Sequence, residues 1–303
     1  MAETMKAIEV DAYGGPAQLI LKDVPIPTLG PSQVLVRVTF ASVNGMDAKS
    51  RAGLLTMWTT LPFRAGGDFA GVIEHAGDGM DLPVGTAVFG CAKGCYAQFV
   101  AAEIATIATK PSDVSFEEAA ALPVAGVTAW QALMEEGSLK AGQRVLIQGG
   151  SGGVGHLAVQ IARHAKAFVV ATASAQHLDA VKALGADEVF DYHTPLENRF
   201  APVDLVIDGS GNPVAQLKSY ALLKPGGLLV SLVGPPPPPP EGIRVIAMIA
   251  KPSREGLARL AHLVDRKEIR PLIARIFPLT EAAAAQEYGH AGAKPGKVLI
   301  AVT

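Results

Sequence analysis

From about residue 144 the chain alternates two hydrophobic patterns. Short apolar runs are typical of buried strands in a parallel sheet, and segments with an apolar residue every three or four positions are typical of amphipathic helices. The order of these segments predicts a parallel sheet with helices on both faces. The predicted strands are 145–148, 167–172, 188–191, 203–208 and 228–233, and the predicted helices are 154–165, 176–184, 214–223 and 254–265.

The earlier part of the chain carries a different pattern. Short β-branched or alternating runs, separated by clusters of glycine and proline, are typical of a β-rich unit. Ser115 and Glu118 have the spacing of a capping box ahead of an alanine-rich helix, and they mark the change of pattern. The predicted strands of this part are 5–10, 33–40, 69–75, 87–90 and 96–101.

Three further features follow the last strand of the alternating region. Consecutive prolines at 235–240 exclude a helix or a central strand and predict a stiff surface spacer. The alternative for this run is a docking site for a proline-binding domain. Residues 243–249 predict an edge strand. Residues 269–302 return to strands around one helix at 280–288, and we expect them to rejoin the β-rich unit.

A glycine-rich turn follows the strand at 145–148, and its glycines have the spacing G-x-G-x-x-G. A strand that turns on glycines into a helix collects free backbone N–H groups and the positive end of the helix dipole at one point. Within a strand–helix–strand unit this point usually binds the pyrophosphate of a dinucleotide. The predicted contacts are Gly150, Ser151, Gly152, Gly153, Val154 and Gly155.

The end of the second strand of this unit bears on which dinucleotide is bound. NAD sites usually place a carboxylate there for the ribose 2′-hydroxyl, but this sequence has no acidic residue until Asp179. A 2′-phosphate would therefore meet no repelling charge, which favours NADPH. Ser174 and Tyr192 offer hydroxyl groups to it. The alternatives are a helix N-cap for Ser174 and a packing residue for Tyr192.

Composition narrows the class of protein. The 303 residues suffice for about two domains, and 49% of them are apolar. The net charge of −2, without a cluster of Lys or Arg, argues against a nucleic-acid surface. The longest uncharged run, 119–134, is too short for a membrane span, and the first residues lack the apolar region of a signal peptide. The two cysteines favour a reducing, cytoplasmic location.

Motifs in both parts of the chain resemble those of the medium-chain dehydrogenase/reductase superfamily. Within it, the sequence is similar to the zinc-free, NADP(H)-dependent quinone oxidoreductase-like branch, which includes the zeta-crystallins. The resemblance implies an α/β fold with a GroES-like β-rich catalytic domain (1–118 and 269–303) and a doubly wound Rossmann domain (119–268). The matching motifs are YGGP at 13–16, GPSQVLVRV at 30–38, ASVN at 41–44, GGDFAGV at 66–72, EAAALP at 118–123, GVTAWQ at 126–131, LGADEV at 184–189, DY at 191–192, LKPGG at 223–227 and GKV at 296–298.

The resemblance also implies that the protein holds no metal. Zinc-dependent members of the superfamily use cysteine and histidine ligands, and the corresponding positions here are Asn44, Gly67 and Ala125. Cys91 and Cys95 lie in a short loop and are interpreted as two ordinary thiols near the surface, with a redox pair as the alternative.

Further site residues are implied by the same resemblance. Leu232 and Val233 would lie beside the nicotinamide, and Asn44 and Thr128 would face its ring from the other domain. The alternatives are a loop amide that bonds its own backbone for Asn44 and a packing residue at the hinge for Thr128. Gly209 and Ser210 follow a strand that lines the cofactor crevice.

The resemblance also assigns roles to three more polar residues. His177 lies where related reductases carry a lysine that faces the 2′-phosphate, and its alternative is a solvated residue of the following helix. We expect NADPH affinity to decline from about pH 6 to pH 8 if His177 binds this phosphate. Lys49 and Asp47 are placed in a loop near the cleft, where either could assist the reaction or be an ordinary loop charge.

The predicted activity is metal-independent hydride transfer from NADPH to a quinone or an α,β-unsaturated carbonyl compound. The alternatives are a trans-acting enoyl reductase of a biosynthetic pathway and an NADPH-binding protein with little turnover. The expected substrate is a small apolar electrophile, since residues 54–63 are apolar and include Trp58. Core packing is the other interpretation of Trp58. The apolar edge strand 244–249 predicts a homodimer in which it pairs with its copy.

Overall fold

The first part of the chain is rich in strands. The computed structural model describes residues 3–77, 81–292 and 294–302. The strands of this part are β1 (Thr4–Val10), β2 (Ile20–Pro25), β3 (Gln33–Ser42), β4 (Phe63–Arg64), β5 (Asp68–Ala76), β6 (Ala87–Cys91), β7 (Phe99–Glu103) and β8 (Ile107–Thr109), with helix α1 (Gly45–Arg51) after β3.

The remainder of the chain alternates helices and strands, as its hydrophobic pattern predicts. In chain order they are α2 (Phe116–Ala120), α3 (Pro123–Trp130), β9 (Arg144–Gln148), α4 (Gly155–His164), β10 (Phe168–Ala173), α5 (Leu178–Ala183), β11 (Glu188–Asp191), β12 (Val203–Asp208), α6 (Pro213–Tyr220), β13 (Leu223–Ser231), β14 (Arg244–Ala247), α7 (Arg254–Asp265), β15 (Ile273–Pro278), α8 (Ala282–Ala291) and β16 (Lys297–Ala301).

A six-stranded parallel sheet confirms the predicted doubly wound fold. Its strand order is β11-β10-β9-β12-β13-β14, and every neighbouring pair is parallel. Val145 and Ile147 of β9 pack in one core cluster with Leu157 of α4, while Leu146 packs in another with Tyr220 of α6. Helices therefore cover both faces, and the strand order reverses between β9 and β12, where such sheets bind ligands.

The seven-stranded sheet joins the beginning of the chain to its last strands. Its order is β15-β16-β3-β5-β6-β8, with β7 also paired to β3, and a separate small sheet has the order β2-β1-β4. β16 runs antiparallel to β3, with Leu299 opposite Ser42. The tail thus rejoins the β-rich unit. The domain limits 1–118 with 269–303 and 119–268 stay a prediction.

Several predicted boundaries are corrected by the structure. The segment around Asp47, expected as a loop, forms helix α1, because the Asp47 carboxylate accepts the Asn44 N–H and caps the first turn. β7 begins at Phe99, not at Tyr96, since Ala97 forms only an isolated bridge to Ala7. Helix α6 ends at Tyr220, because residues from 223 onward pair with β12.

The proline run at 235–240 forms no helix or strand. It is tied to the sheet domain through Tyr220, whose hydroxyl donates to the Pro237 carbonyl at 2.5 Å. The run then leads into β14 at the edge of the parallel sheet. This position agrees with the predicted spacer.

Candidate active site

The glycine-rich turn joins β9 to helix α4. Gly149 has a left-handed φ of 72°, and its N–H donates to Thr172 Oγ1 over 3.2 Å. The Gly150 N–H donates to the Thr172 carbonyl at 2.7 Å, so the turn is fixed to β10. A Cβ on Gly155 would collide with the Gly149 carbonyl. Helix α4 can therefore begin this close to the strand only with glycine at position 155.

Backbone N–H groups in the turn remain available to a ligand. Within the described ranges, no hydrogen bond uses the N–H of Ser151, Gly153 or Val154. They lie at the N-terminus of α4, where the helix dipole favours a negative charge. The turn therefore has the free donors and the close backbone approach that a pyrophosphate requires.

His156 lies in the first turn of α4 and is fully buried. Its Nδ1 lies 2.9 Å from the Gly152 carbonyl, which can only accept, so Nδ1 carries the proton. Burial lowers the pKa of His156 to about 4, and the charge of Lys297 lowers it as well. The ring is neutral at pH 7. Its Nε2 has no hydrogen-bond partner among the described residues.

The residues expected to bind a 2′-phosphate lie after the second and third strands of the unit. Ser174 precedes the short 3₁₀ turn Ala175–His177, and its Oγ lies 3.0 Å from Nδ1 of His177. His177 is buried, so the alternative of a solvated residue is wrong. Tyr192 is 55% exposed and contacts the His193 ring, so it is not a core packing residue.

The loops after β12 and β13 contact each other beside the turn. Asp208 Oδ1 accepts the Ser210 N–H at 3.0 Å and the Ser210 hydroxyl at 2.5 Å. The Leu232 N–H donates to the Asp208 carbonyl at 2.9 Å. A Cβ on Gly209 would lie 3.9 Å from Leu232, and one on Gly211 would lie 2.8 Å from Val233. The residues predicted to contact the cofactor in this region therefore lie in two loops that touch each other.

Asn44 is held between two charged side chains. Its Oδ1 accepts from Nζ of Lys297 at 2.5 Å, and its Nδ2 donates to Oδ2 of Asp68 at 2.9 Å. The alternative that Asn44 bonds only its own backbone is therefore wrong. The Lys297 side chain passes the turn on its way, because a Cβ on Gly153 would lie 3.2 Å from its Cδ. One lysine side chain therefore separates Asn44 from the glycine-rich turn.

Asp68 anchors the region behind Asn44. It is fully buried and accepts from Ser42 Oγ at 3.0 Å and from the Val124 N–H at 3.2 Å. Nζ of Lys297 lies 3.9 Å from Oδ2 of Asp68. Burial raises the pKa of Asp68, while the charge of Lys297 and the donated hydrogen bonds oppose this rise.

Asp47 lies on the other side of Asn44. Its Oδ2 accepts the Asn44 N–H at 2.8 Å and the Tyr96 hydroxyl at 2.9 Å. Burial raises the pKa of Asp47 to about 6, although both hydrogen bonds lower it. Lys49 lies half-buried on the same helix, so neither residue is a loop charge as expected.

Thr128 lies in helix α3, one turn after Val124. It is 8% exposed, and its hydroxyl donates to the Val124 carbonyl at 2.6 Å. The Val124 N–H is one of the donors to Asp68, so a single turn of α3 connects Thr128 to the Asn44 region. The Thr128 oxygen keeps lone pairs that can accept from a ligand.

The positions that correspond to zinc ligands carry no cysteine or histidine. Across the described residues, no three His, Cys, Asp or Glu side chains are grouped so that they could hold a metal ion. The cysteines differ from their expected surface location. Cys95 is fully buried, Cys91 is half-buried at the end of β6, and burial raises the pKa of both thiols.

An apolar surface follows helix α1. Trp58 is 43% exposed and Met57 81% exposed, so the interpretation of Trp58 as a core residue is wrong. Leu54 is also exposed. In the part of the chain that the structure describes, no helix has the length and apolar character needed to cross a membrane.

Lys297 and Tyr96 are two polar residues of this region to which the sequence assigned no role. Lys297 stands in the GKV motif at 296–298, but a motif alone does not show where a side chain ends. Both residues are buried, and both contact side chains from α1 or its cap. The available signal was the single lysine that begins the otherwise apolar strand β16.

Comparisons with known families and proteins give consistent matches. Residues 30–132 match the alcohol dehydrogenase GroES-like domain, and residues 184–300 match a zinc-binding dehydrogenase family. The chain is 31% identical to a chloroplast envelope quinone oxidoreductase homolog of Arabidopsis thaliana, over 98% of each sequence. It is 32% identical to an NADPH-dependent alkenal/one oxidoreductase of the same plant, over 98% of this chain and 79% of that protein.

One relative is much longer than this chain. The spectinabilin polyketide synthase system protein NorB of Streptomyces orinoci is 36% identical over 90% of this chain, and the match covers 13% of that protein.

Solved structures show the same similarity. A quinone oxidoreductase from Coxiella burnetii superposes with a TM-score of 0.90 at 35% identity, over 99% of this chain and 100% of the other. A mycobacterial protein complexed with NADPH superposes with a TM-score of 0.89 at 28% identity, over 98% and 100%.

Proposed function

Because the chain belongs to the quinone oxidoreductase-like branch of the medium-chain dehydrogenase/reductase superfamily, we propose that it is an NADPH-dependent reductase of quinones or α,β-unsaturated carbonyl compounds. The observation that carries the proposal is the free N–H groups of the glycine-rich turn, one lysine side chain away from the half-buried amide of Asn44. A cofactor cradle and a polar group that can face its reactive end thus occur together.

The nucleotide is proposed to be NADPH and not NADH. The residues after β10 and β11 that we propose to meet its 2′-phosphate are Ser174, His177 and Tyr192, none of which is a carboxylate. The names of the alkenal/one oxidoreductase and of the mycobacterial complex support this choice. We expect His177→Gln to weaken NADPH binding more than NADH binding, because only NADPH carries the 2′-phosphate.

Bound NADPH supplies the hydride for such a reduction. The protein's task is then to orient the acceptor and to stabilise the charge that develops on its oxygen. The second N–H of the Asn44 amide is the proposed donor to that oxygen. The Thr128 hydroxyl already donates to the Val124 carbonyl, so its proposed part is to orient a bound ligand by accepting a hydrogen bond. Lys49 on α1 is a weaker candidate, since its described contacts do not link it to the others.

The reaction is proposed to need no zinc. Asn44, Gly67 and Ala125 stand at the positions of zinc ligands in related enzymes, and none offers a thiolate or an imidazole. Quinones and enones are electron-poor, so a hydrogen bond to the acceptor oxygen can take the place of a Lewis acid. Activity should therefore survive a chelator.

The proposed substrate is a small apolar electrophile. Leu54, Met57 and Trp58 are exposed after α1, and they provide an apolar surface of the kind that binds flat hydrophobic molecules. A cytoplasmic location is proposed as well, because free thiols are typical of a reducing compartment.

A second candidate function is trans-acting enoyl reduction in a biosynthetic pathway. The segment of a polyketide synthase protein that is 36% identical to this chain favours it. The chemistry at the site would be the same, and the acceptor would be an unsaturated thioester on a carrier.

A substrate panel tests these functions together. The purified protein is given NADPH or NADH with 9,10-phenanthrenequinone, a small enone, or an enoyl thioester of coenzyme A, with and without a chelator. Chelator-resistant NADPH oxidation by the quinone or the enone supports the proposal. Oxidation by the thioester alone supports the second function. Binding of NADPH without turnover on any acceptor contradicts both.

We also propose that β14 forms a homodimer interface. It lies at the edge of the six-stranded sheet, and Val245 and Ile246 are half-buried there. An edge strand leaves main-chain N–H and C=O groups free to pair with a second copy across a two-fold axis.

A further inference from the structure

Lys297 is a buried lysine that connects the two sides of the site. It begins β16, and only 3% of its surface is exposed. The preceding residue, Gly296, donates its N–H to the Ser151 carbonyl of the glycine-rich turn at 2.9 Å. The Lys297 stem then passes Gly153, and its ammonium group reaches the Val43 carbonyl at 2.8 Å and Asn44 Oδ1 at 2.5 Å.

The two neighbours of the Asn44 amide define its orientation without ambiguity. An ammonium group can only donate, so Lys297 requires the oxygen of the amide. A carboxylate can only accept, so Asp68 requires the nitrogen. With both in place the amide cannot turn over, and its second N–H is left without a described partner.

We propose that Lys297 is a positioning residue that fixes the Asn44 amide for the reduction, in register with the glycine-rich turn. This proposal rests on the proposed function, because it assigns a role to Asn44 in hydride transfer. Lys297 itself acts through Asn44. The linkage would hold the amide and the cofactor cradle at a constant separation.

A purely structural role is the competing explanation. Asp68 is fully buried, and Lys297 is the cation nearest to it, 3.9 Å away. A buried carboxylate that loses its cation destabilises a protein strongly. A test must therefore separate the loss of charge balance from the loss of amide orientation.

Paired variants make this separation. K297M removes the ammonium group and keeps most of the stem, and D68N/K297M removes both charges while keeping an oxygen that can accept from Asn44. Lys110 provides the matched control, because its ammonium group also donates to backbone carbonyls, those of Pro111 and Val114. K110M should leave kcat, KM and NADPH affinity unchanged.

For wild-type protein that reduces the quinone, we expect D68N/K297M to stay folded and to bind NADPH nearly as well. Its kcat should be about 10- to 100-fold lower, which is the usual effect of a misplaced active-site group. K297R keeps a positive charge and hydrogen-bond donors at this position, so its kcat should lie between those of K297M and wild type. In an N44A background, K297M should lower kcat no further, since the two side chains act as one unit.

Two kinetic results would overturn the proposal. Wild-type kcat in D68N/K297M would mean that Lys297 only neutralises Asp68, and independent, multiplicative losses in N44A and K297M would mean that it does not act through Asn44. The emission of bound NADPH gives a second readout that requires no turnover. If wild type binds NADPH but reduces nothing, the proposed function is wrong. The positioning of Asn44 by Lys297 is still supported if the emission of bound NADPH shifts equally in N44A and D68N/K297M, relative to wild type, and does not shift in K110M. Without that common shift, or without NADPH binding, the positioning role is wrong too.

Discussion

Asp47 is a buried carboxylate whose pKa is raised by its surroundings. Its carboxylate caps α1 and accepts from Tyr96, yet burial raises its pKa to about 6. An acid with a raised folded pKa stabilises the fold at low pH, and this stabilisation is lost as the pH rises through the folded pKa. His156 has the opposite effect in an overlapping range, since its pKa is lowered to about 4 and stability falls as it is forced to protonate.

Comparing the pH dependence of stability in Asp47→Asn and in wild type isolates the effect of Asp47, because both proteins contain His156. Between pH 7 and pH 5 the free energy of unfolding of wild type should rise by about 1 kcal/mol relative to the variant. Urea unfolding at the two pH values measures this difference. An equal pH dependence for both proteins would mean that Asp47 titrates normally.

The sequence alone identified the site residues whose role depends on close neighbours in the chain. Gly150, Gly152 and Gly155 were identified because a strand, a turn and a helix follow one another directly. Lys297 was not assigned a role, because its partner Asn44 lies 253 residues away. Asp47 was placed in a loop, because a single capping box over a short polar helix gives little hydrophobic periodicity.

Among the elements, the turn between β9 and α4 has the strictest steric requirement. Gly155 lies against the Gly149 carbonyl and the Gly150 Cα, so the helix starts in direct contact with the turn. A side chain at this point must push the helix away from the sheet.

Gly155→Ala should therefore destabilise the protein by about 1–3 kcal/mol or more and abolish NADPH binding, because overpacking moves the backbone donors. Thermal unfolding and NADPH fluorescence titration measure the two effects. Gly15→Ala is the control, since a Cβ there meets no atom within 4 Å. Undiminished NADPH affinity in Gly155→Ala would contradict the assignment of this turn as the cofactor cradle.

The elements of the parallel sheet were predicted well, because their hydrophobic runs are continuous and both faces are buried. The strands Glu188–Asp191 and Val203–Asp208 and the helix Arg254–Asp265 agree with prediction at both ends. Short strands such as β4 and β8 were missed, because two or three residues are too few to show the alternating hydrophobic pattern of a strand. Their pairing is decided by distant strands.

In the whole molecule, β14 forms one edge of the parallel sheet. The Met248 N–H points inward to the Ser231 carbonyl. By the alternation of a strand, the N–H of Ala247 points outward, where a second copy of β14 would accept it.

Ala247→Pro removes this outward donor and should convert the proposed dimer to a monomer. Sedimentation at micromolar concentration measures the mass, and Ala247→Ser serves as the control that keeps the N–H. NADPH binding should persist in both variants, since the turn follows β9 and two strands, β12 and β13, lie between β9 and β14. A wild-type protein that already sediments as a monomer would exclude this interface.

The route of β16 determines when the protein can first become active during its synthesis. Asn44 and the glycine-rich turn leave the ribosome long before Lys297, which must then thread beside β3 and reach back to Asn44. A nascent chain, or one truncated by a premature stop codon upstream of residue 297, would carry the glycine-rich turn without Lys297, which on our proposal positions the Asn44 amide. On our proposal, such a chain would be a poor reductase.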